Sequence, residues 1–268
     1  MKNYRFLFVA VVSCCLGGVF SACDENDGDK PDNNEEISMP NALQVFTGGI
    51  PSKVGDAKIT VNGDGQVTSI AGKWSAATFS YTPVSRIVDY DMTMTIKYFD
   101  EPGTDVFYIR LNDLNFIEYA LQISDDGEEE WWFDYDKDSR LNYMKRTEGD
   151  NEVTRISYRD GDITGISMTS DNPENEYSAT IVYTNASVAS PIPNKGCVML
   201  FDETFGIDMD EMAVAYYAGL LGKSTTHLPA GLKDRWYDMT FEWTLNAAGF
   251  PVAFEDKPYG DGSTTFAW

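Results

Sequence analysis

In Met92-Thr-Met-Thr-Ile-Lys-Tyr98 an apolar side chain takes every second place, and no helix can bury such a pattern on one face. The alternation returns in Phe107-Tyr-Ile-Arg-Leu111 and in Trp131-Trp-Phe-Asp-Tyr135. It is clearest in Tyr237-Asp-Met-Thr-Phe-Glu-Trp-Thr-Leu245. Side chains of a strand point alternately to its two faces, so each segment has one wet face and one buried face. That is the signature of antiparallel sheet.

The connections repeat as well. Ile59-Thr-Val-Asn-Gly-Asp-Gly-Gln-Val-Thr-Ser-Ile70 reads as strand, Gly/Asp turn, strand. Residues 133–144, 156–166 and, more loosely, 241–252 have the same form. Gly, Asn and Asp tolerate the positive φ angles that tight hairpins need. A repeated hairpin implies a meander, and the expected fold is all-β: a curved or barrel-like antiparallel sheet. One segment differs. Residues 208–221 read as a capping α-helix, with Asp208 as N-cap and Glu211 closing a capping box. Met212, Ala215, Tyr216, Gly219 and Leu220 share its inner face, and Gly222 is the stop.

The start of the chain bears on location. Lys2 and Arg5 precede an apolar run from Phe6 to Phe20, and Ser21-Ala22-Cys23 follows. These are the marks of a secretory leader, residues 1–22, and the run is too short and interrupted for a membrane span. Ser-Ala-Cys resembles a lipobox, with Phe20 in place of the usual Leu. Cys23 is then the lipidation site that joins the chain to the membrane. Residues 23–40 are acidic and almost free of apolar side chains, which predicts a disordered tether spanning roughly 20–25 Å. An acidic stretch after the lipidated Cys resembles the signal for display on the outer face of the outer membrane. Residues 41–268 remain as a single domain.

A net charge of −23 argues against nucleic acid as a partner, because phosphate binding needs clustered Lys and Arg. Cys14 and Cys15 leave with the leader and Cys23 is acylated. Cys197 is then the only thiol of the mature chain, which rules out an internal disulfide and a cysteine-based zinc site. Its apolar surroundings, Gly196-Cys-Val-Met-Leu-Phe201, point to a structural role.

Three landmarks together resemble a family. Val45-Phe-Thr-Gly-Gly-Ile-Pro-Ser-Lys-Val-Gly55 with residues 59–70 is the first. Tyr217-Ala-Gly-Leu-Leu-Gly-Lys-Ser-Thr-Thr-His-Leu-Pro229 is the second, and Trp236 to Leu245 followed by Gly249-Phe-Pro251 is the third. The chain resembles, from about Pro40 to its end, a Bacteroidota-type lipoprotein family known as a domain of unknown function with a porin-like fold. The resemblance implies a curved, barrel-like sheet. It implies no activity and no site residues.

Several motifs invite chemistry. Gly222-Lys-Ser-Thr lacks the earlier Gly of a phosphate loop, position 217 being Tyr, and follows a helical pattern rather than a strand. Asp134, Asp136 and Asp138 resemble the first half of a calcium loop and are the weak metal candidates. Lys145 stands where the loop needs Glu, and Ser139 where it needs Gly. His227 has no nucleophile-elbow pattern near it. Trp131, Trp132 and Trp236 have rings able to stack on sugars. Trp131 and Trp132 must face opposite sides of a strand, so they are the weak ligand-binding candidates, with one of the pair exposed. Glycoside cleavage needs two placed carboxylates, and nothing among the 43 acidic residues nominates a pair. The C-terminal Phe266-Ala-Trp268 resembles the last strand of an outer-membrane barrel, yet the strands look short and carry charge on one face.

The sequence therefore points to an outer-membrane-anchored lipoprotein without a cofactor, facing the cell surface or the periplasm with surface display favoured, and acting as a non-enzymatic binding or accessory module. A glycan, a peptide or a lipid are the ligands it admits. The alternatives are a structural or adhesive envelope protein and a hydrolase with unnominated acids.

Overall fold

The structure is a computed structural model that describes residues 39–82, 90–100, 103–257 and 263–268. The leader, Cys23 and the tether up to residue 38 lie outside the described residues. The strands run β1 (Lys53–Val54), β2 (Ala57–Val61), β3 (Val67–Ala71), β4 (Ser75–Ser80), β5 (Met92–Tyr98) and β6 (Thr104–Leu111). Then come β7 (Ile117–Ser124), β8 (Gly127–Tyr135), β9 (Leu141–Arg146), β10 (Val153–Arg159), β11 (Asp162–Thr169) and β12 (Tyr177–Val182). A short pair, β13 (Ile192–Pro193) and β14 (His227–Leu228), stands apart. The chain ends with β15 (Gly231–Lys233), β16 (Asp238–Leu245), β17 (Pro251–Lys257) and β18 (Ser263–Ala267).

Among the described residues, sixteen strands close into an antiparallel barrel. Neighbours in sequence are neighbours in the wall, except that β12 pairs with β15 across the segment between them. The seam is β18 on β1, with Phe266 opposite Val54. The mostly-β meander expected from the alternation is thus a closed barrel.

Four hairpin turns share one geometry. The side-chain oxygen of the first residue accepts from the backbone N–H two and four residues on, at 2.9–3.1 Å. This holds for Asn62, Asn112, Asp136 and Asn246. The residue three places on takes positive φ: Gly65, Asn115, Ser139 and Gly249. Asp160 and Gly161 both take positive φ, as a two-residue hairpin requires. These turns occupy one end of the barrel.

The inner face carries Met92, Met94, Ile96, Phe107, Ile109, Trp131, Phe133, Phe241, Phe254 and Phe266, all buried. The outer face exposes Lys58, Thr60, Thr78, Lys97, Arg155, Ser178, Glu242 and Glu255. A membrane-crossing barrel carries its apolar band outside on strands of about 9–11 residues. Here the apolar face is inside, and among the described residues the strands have 2 to 9 residues.

The lumen is filled by the segment 194–230, called the plug below. Phe201, Phe205, Ile207, Met209, Met212, Tyr216 and Leu220 are all buried in it. Its contacts reach round the wall. Asp208 bonds Arg146 on β9, Glu211 bonds Tyr98 on β5, and the amide of Ile117 on β7 donates to Leu220. Phe46, just before the wall begins, packs on Tyr216 and Tyr217.

The helix expected over 208–221 is shorter and split. A 3-10 turn, Asp210–Ala213, runs into one α-helical turn, Val214–Tyr217. Asp208 divides its carboxylate: Oδ2 accepts from Arg146 at 2.9 Å and Oδ1 accepts from the Asp210 amide at 3.3 Å, while Met209 directly precedes the turn without a side-chain cap. Gly219, at φ +78, ends the helical stretch before Gly222 does. The expected inner face is correct, with Met212, Ala215, Tyr216 and Leu220 fully buried.

Candidate functional site

Trp131 and Trp132 are divided by the pleat of β8. Trp131 is fully buried, stacked on Phe133, and its Nε1 donates to Gln122 Oε1 at 3.4 Å. Trp132 points outward and is half-buried. It lies in a cross-strand row, because Arg110 pairs with Tyr119, Tyr119 with Trp132, and Trp132 with Lys145. The Arg110 guanidinium lies 5.1 Å from the Tyr119 ring centre, Tyr119 meets Trp132 edge-on at 5.7 Å, and the Lys145 ammonium lies 4.8 Å from the Trp132 ring. The row therefore runs cation, ring, ring, cation across β6 to β9.

Neighbouring side chains widen it. Tyr90 stacks on Tyr119 at 6.2 Å and tilts against Tyr108 at 5.6 Å. Leu121 and Ile123 continue the outer face of β7. The Tyr119 hydroxyl donates to Glu130 at 2.7 Å, and Arg110 pairs with Glu118 at 2.6 Å. Burial and the nearby Glu130 carboxylate push the Tyr119 phenol up, so it stays a neutral donor. Rings interleaved with charged donors and acceptors make a surface able to stack on a flat apolar face while bonding the groups around its edge.

The end of the barrel opposite the repeated turns is acidic. A cavity of about 780 Å³ is lined there by Tyr98, Asp105, Gln122, Glu129, Asp210 and Glu211 among others. Burial raises the Asp105 carboxyl, pushes Glu129 up to about 7, and pushes Asp210 up to about 6 with help from Asp208. Arg146, 4% exposed, bonds Glu152 at 2.8 Å, Asp208 at 2.9 Å and Asp210. Burial works against its charge, but the acids around it prevail and its pKa is raised. Asp105 and Glu211 bond one tyrosine hydroxyl rather than facing each other across an open cleft.

The other residues singled out in the sequence lie elsewhere. Asp134 is exposed on β8, Asp136 spends one oxygen on the turn amides, and Asp138 pairs with Arg140 at 3.1 Å. Among the described residues no three potential ligands gather as a metal group. Trp236 is exposed on the β15–β16 loop beneath Arg235, remote in sequence from the row. His227 Nδ1 meets Asp162 Oδ2 at 2.7 Å, and its amide donates to the same carboxylate, which fixes β14 to β11. Lys223 of the Gly-Lys-Ser-Thr stretch donates its amide to Ser139, in the turn after β8. Cys197 is a free, half-buried thiol whose carbonyl accepts from the Tyr216 hydroxyl at 2.6 Å.

Sequence reasoning missed Tyr90, Arg110, Tyr119 and Lys145. The signal was an outward face rich in aromatics on β6 to β8, where other strands carry Thr, Ser or charge. Reading it required the register, and bulges at Arg110/Leu111 and Asp134/Tyr135 shift that register in the two hairpins concerned.

Two solved structures share the architecture. A porin-like protein from Bacteroides uniformis aligns with a TM-score of 0.57 at 15% identity, covering 79% of this chain and 89% of that one. A porin-like protein from Bacteroides vulgatus aligns at 0.52 and 14%, covering 82% and 99%. At that identity the likeness is one of fold. No curated protein is significantly similar. The model of the family described as a domain of unknown function (DUF4595) with porin-like fold matches residues 59–253, and this chain belongs to that family.

Proposed function

We propose that this protein is a lipid-anchored binding module of the bacterial outer surface that recognises extended glycan chains on its outer wall and carries out no catalysis itself. The observation that carries the reading is the contiguous row Arg110–Tyr119–Trp132–Lys145 on the outer face of four adjacent strands. The buried side chains of the plug support it, because they occupy much of the interior where a carried lipid would sit. The basic, apolar leader and Ser21-Ala22-Cys23 support anchoring through lipid on Cys23, and the acidic residues after it support outward display.

Two measurements test the reading. Titration of soluble polysaccharides against the purified protein should give saturable binding that drops at least tenfold in Tyr119→Ala and Trp132→Ala, with the thermal midpoint of each variant recorded beside it. Equal binding by both variants would remove the row from the account. In cells, Cys23→Ala should move the protein from the membrane pellet to the soluble fraction; retention after a high-salt wash would refute the anchor.

A further inference from the structure

Tyr98 ends β5 with its hydroxyl between two carboxylates. Asp105 Oδ2 on the wall is 2.7 Å away, and Glu211 Oε1 on the plug is 2.8 Å away. A phenol has one proton to donate. It can donate to one carboxylate, and a second bond of that length requires the other carboxyl to bring its own proton. The wall side is braced, since Gln122 Nε2 lies 3.4 Å from Asp105 Oδ2 and Trp131 Nε1 donates to Gln122. The plug side is a short 3-10 turn that starts at Asp210 without a side-chain cap.

We propose that Asp105, Tyr98 and Glu211 form a one-proton latch that fastens the plug turn 208–213 to the wall and releases it, opening the acidic cavity, when the proton leaves. With both carboxylates ionised, one of them faces a phenol oxygen that has no proton to give, and the two charges repel across it.

The surroundings favour release. From β8 the cavity receives Glu128 and Glu129, from the β7–β8 turn Asp125 and Asp126, and from the β9–β10 connection Glu148. The plug adds Asp210 to the lining, and Asp208 stands beside it on Arg146. Arg146 on β9 opposes release by holding those two, and Glu152 shares its guanidinium. Burial already raises the Asp105 carboxyl, which places the change nearer neutral pH than an exposed carboxyl would.

Hydrogen exchange of amides 206–213, corrected for the chemical exchange rate at each pH, tests the latch in the whole protein between pH 5 and 8. The latch proton contributes up to tenfold per pH unit to the opening equilibrium, beside what Glu129 and Asp210 contribute. Wild-type protection should fall with rising pH. Glu211→Gln keeps a hydrogen-bonding side chain that cannot ionise, and should reduce the slope by up to that one-proton share. Asp105→Asn should reduce it too and serves if the first variant does not fold. A flat wild-type profile overturns the latch, and so does a slope undiminished in the neutral variants, since the whole slope would then belong to Glu129 and Asp210.

Discussion

Arg146 on β9 and Asp208 on the plug are joined by an ion pair of 2.9 Å whose two ends differ in burial: the arginine side chain is 5% exposed and the aspartate 58%. The same guanidinium holds Glu152, which is buried like itself. Removing the cation strands a buried carboxylate, whereas removing Asp208 deletes a partner that water already screens. Arg146→Ala should cost about 3–5 kcal/mol and Asp208→Ala within about 1 kcal/mol, read from urea midpoints. Equal losses would show that the arginine acts through the plug and not through Glu152.

The close approach of the plug to the chain entering the barrel gives a second prediction. A Cβ on Gly219 would stand 2.6 Å from the Ala42 Cα, and the residue sits at φ +78. Gly49 also has positive φ, +118, but has open space around it. Gly49→Ala should cost only backbone strain, about 1–2 kcal/mol. Gly219→Ala should cost clearly more, because backbone must move. Thermal midpoints of the two variants side by side decide this.

Strand β16 tests the inside and outside of the wall. Phe241 is fully buried against Phe254, with ring centres 5.4 Å apart, and Glu242 is exposed in a pair with Lys257 at 2.7 Å. Phe241→Ala should cost about 3–5 kcal/mol, while Glu242→Ala should stay within about 1 kcal/mol. A silent Phe241→Ala would contradict a packed lumen.

The acidic end should make stability fall with rising pH. Burial pushes Glu129 up to about 7 and Asp210 up to about 6. A carboxyl raised in the native state binds more protons folded than unfolded. Its contribution is complete below the unfolded range near 4 and is lost as pH rises through 6 to 7. Glu129→Gln should therefore raise the denaturation midpoint at pH 8 and leave it nearly unchanged at pH 5. A gain of equal size at both pH values would show that the carboxyl does not titrate in this window.

The alternation in 92–98, 107–111, 131–135 and 237–245 was enough to name strands, their buried faces and an antiparallel meander, because strand periodicity is local. Turns were legible for the same reason: Asn62, Asp136 and Asn246 bond amides only two and four residues away. Met212, Tyr216 and Leu220 were legible as one buried face. The start of their helix was not, because a distant cation, Arg146, takes one oxygen of the Asp208 carboxylate and leaves the other a bond to the Asp210 amide alone. Closure of the wall depends on β18 meeting β1, more than two hundred residues apart, and filling of the lumen depends on where segment 194–230 turns. The row from Arg110 to Lys145 likewise exists only once four strands are set in register, and a single bulge changes which side chains meet. The sequence by itself thus determined what each segment is and which side of it avoids water; tertiary structure alone decided which segments touch, because pairing between distant strands is set by the whole closed barrel and not by any local pattern.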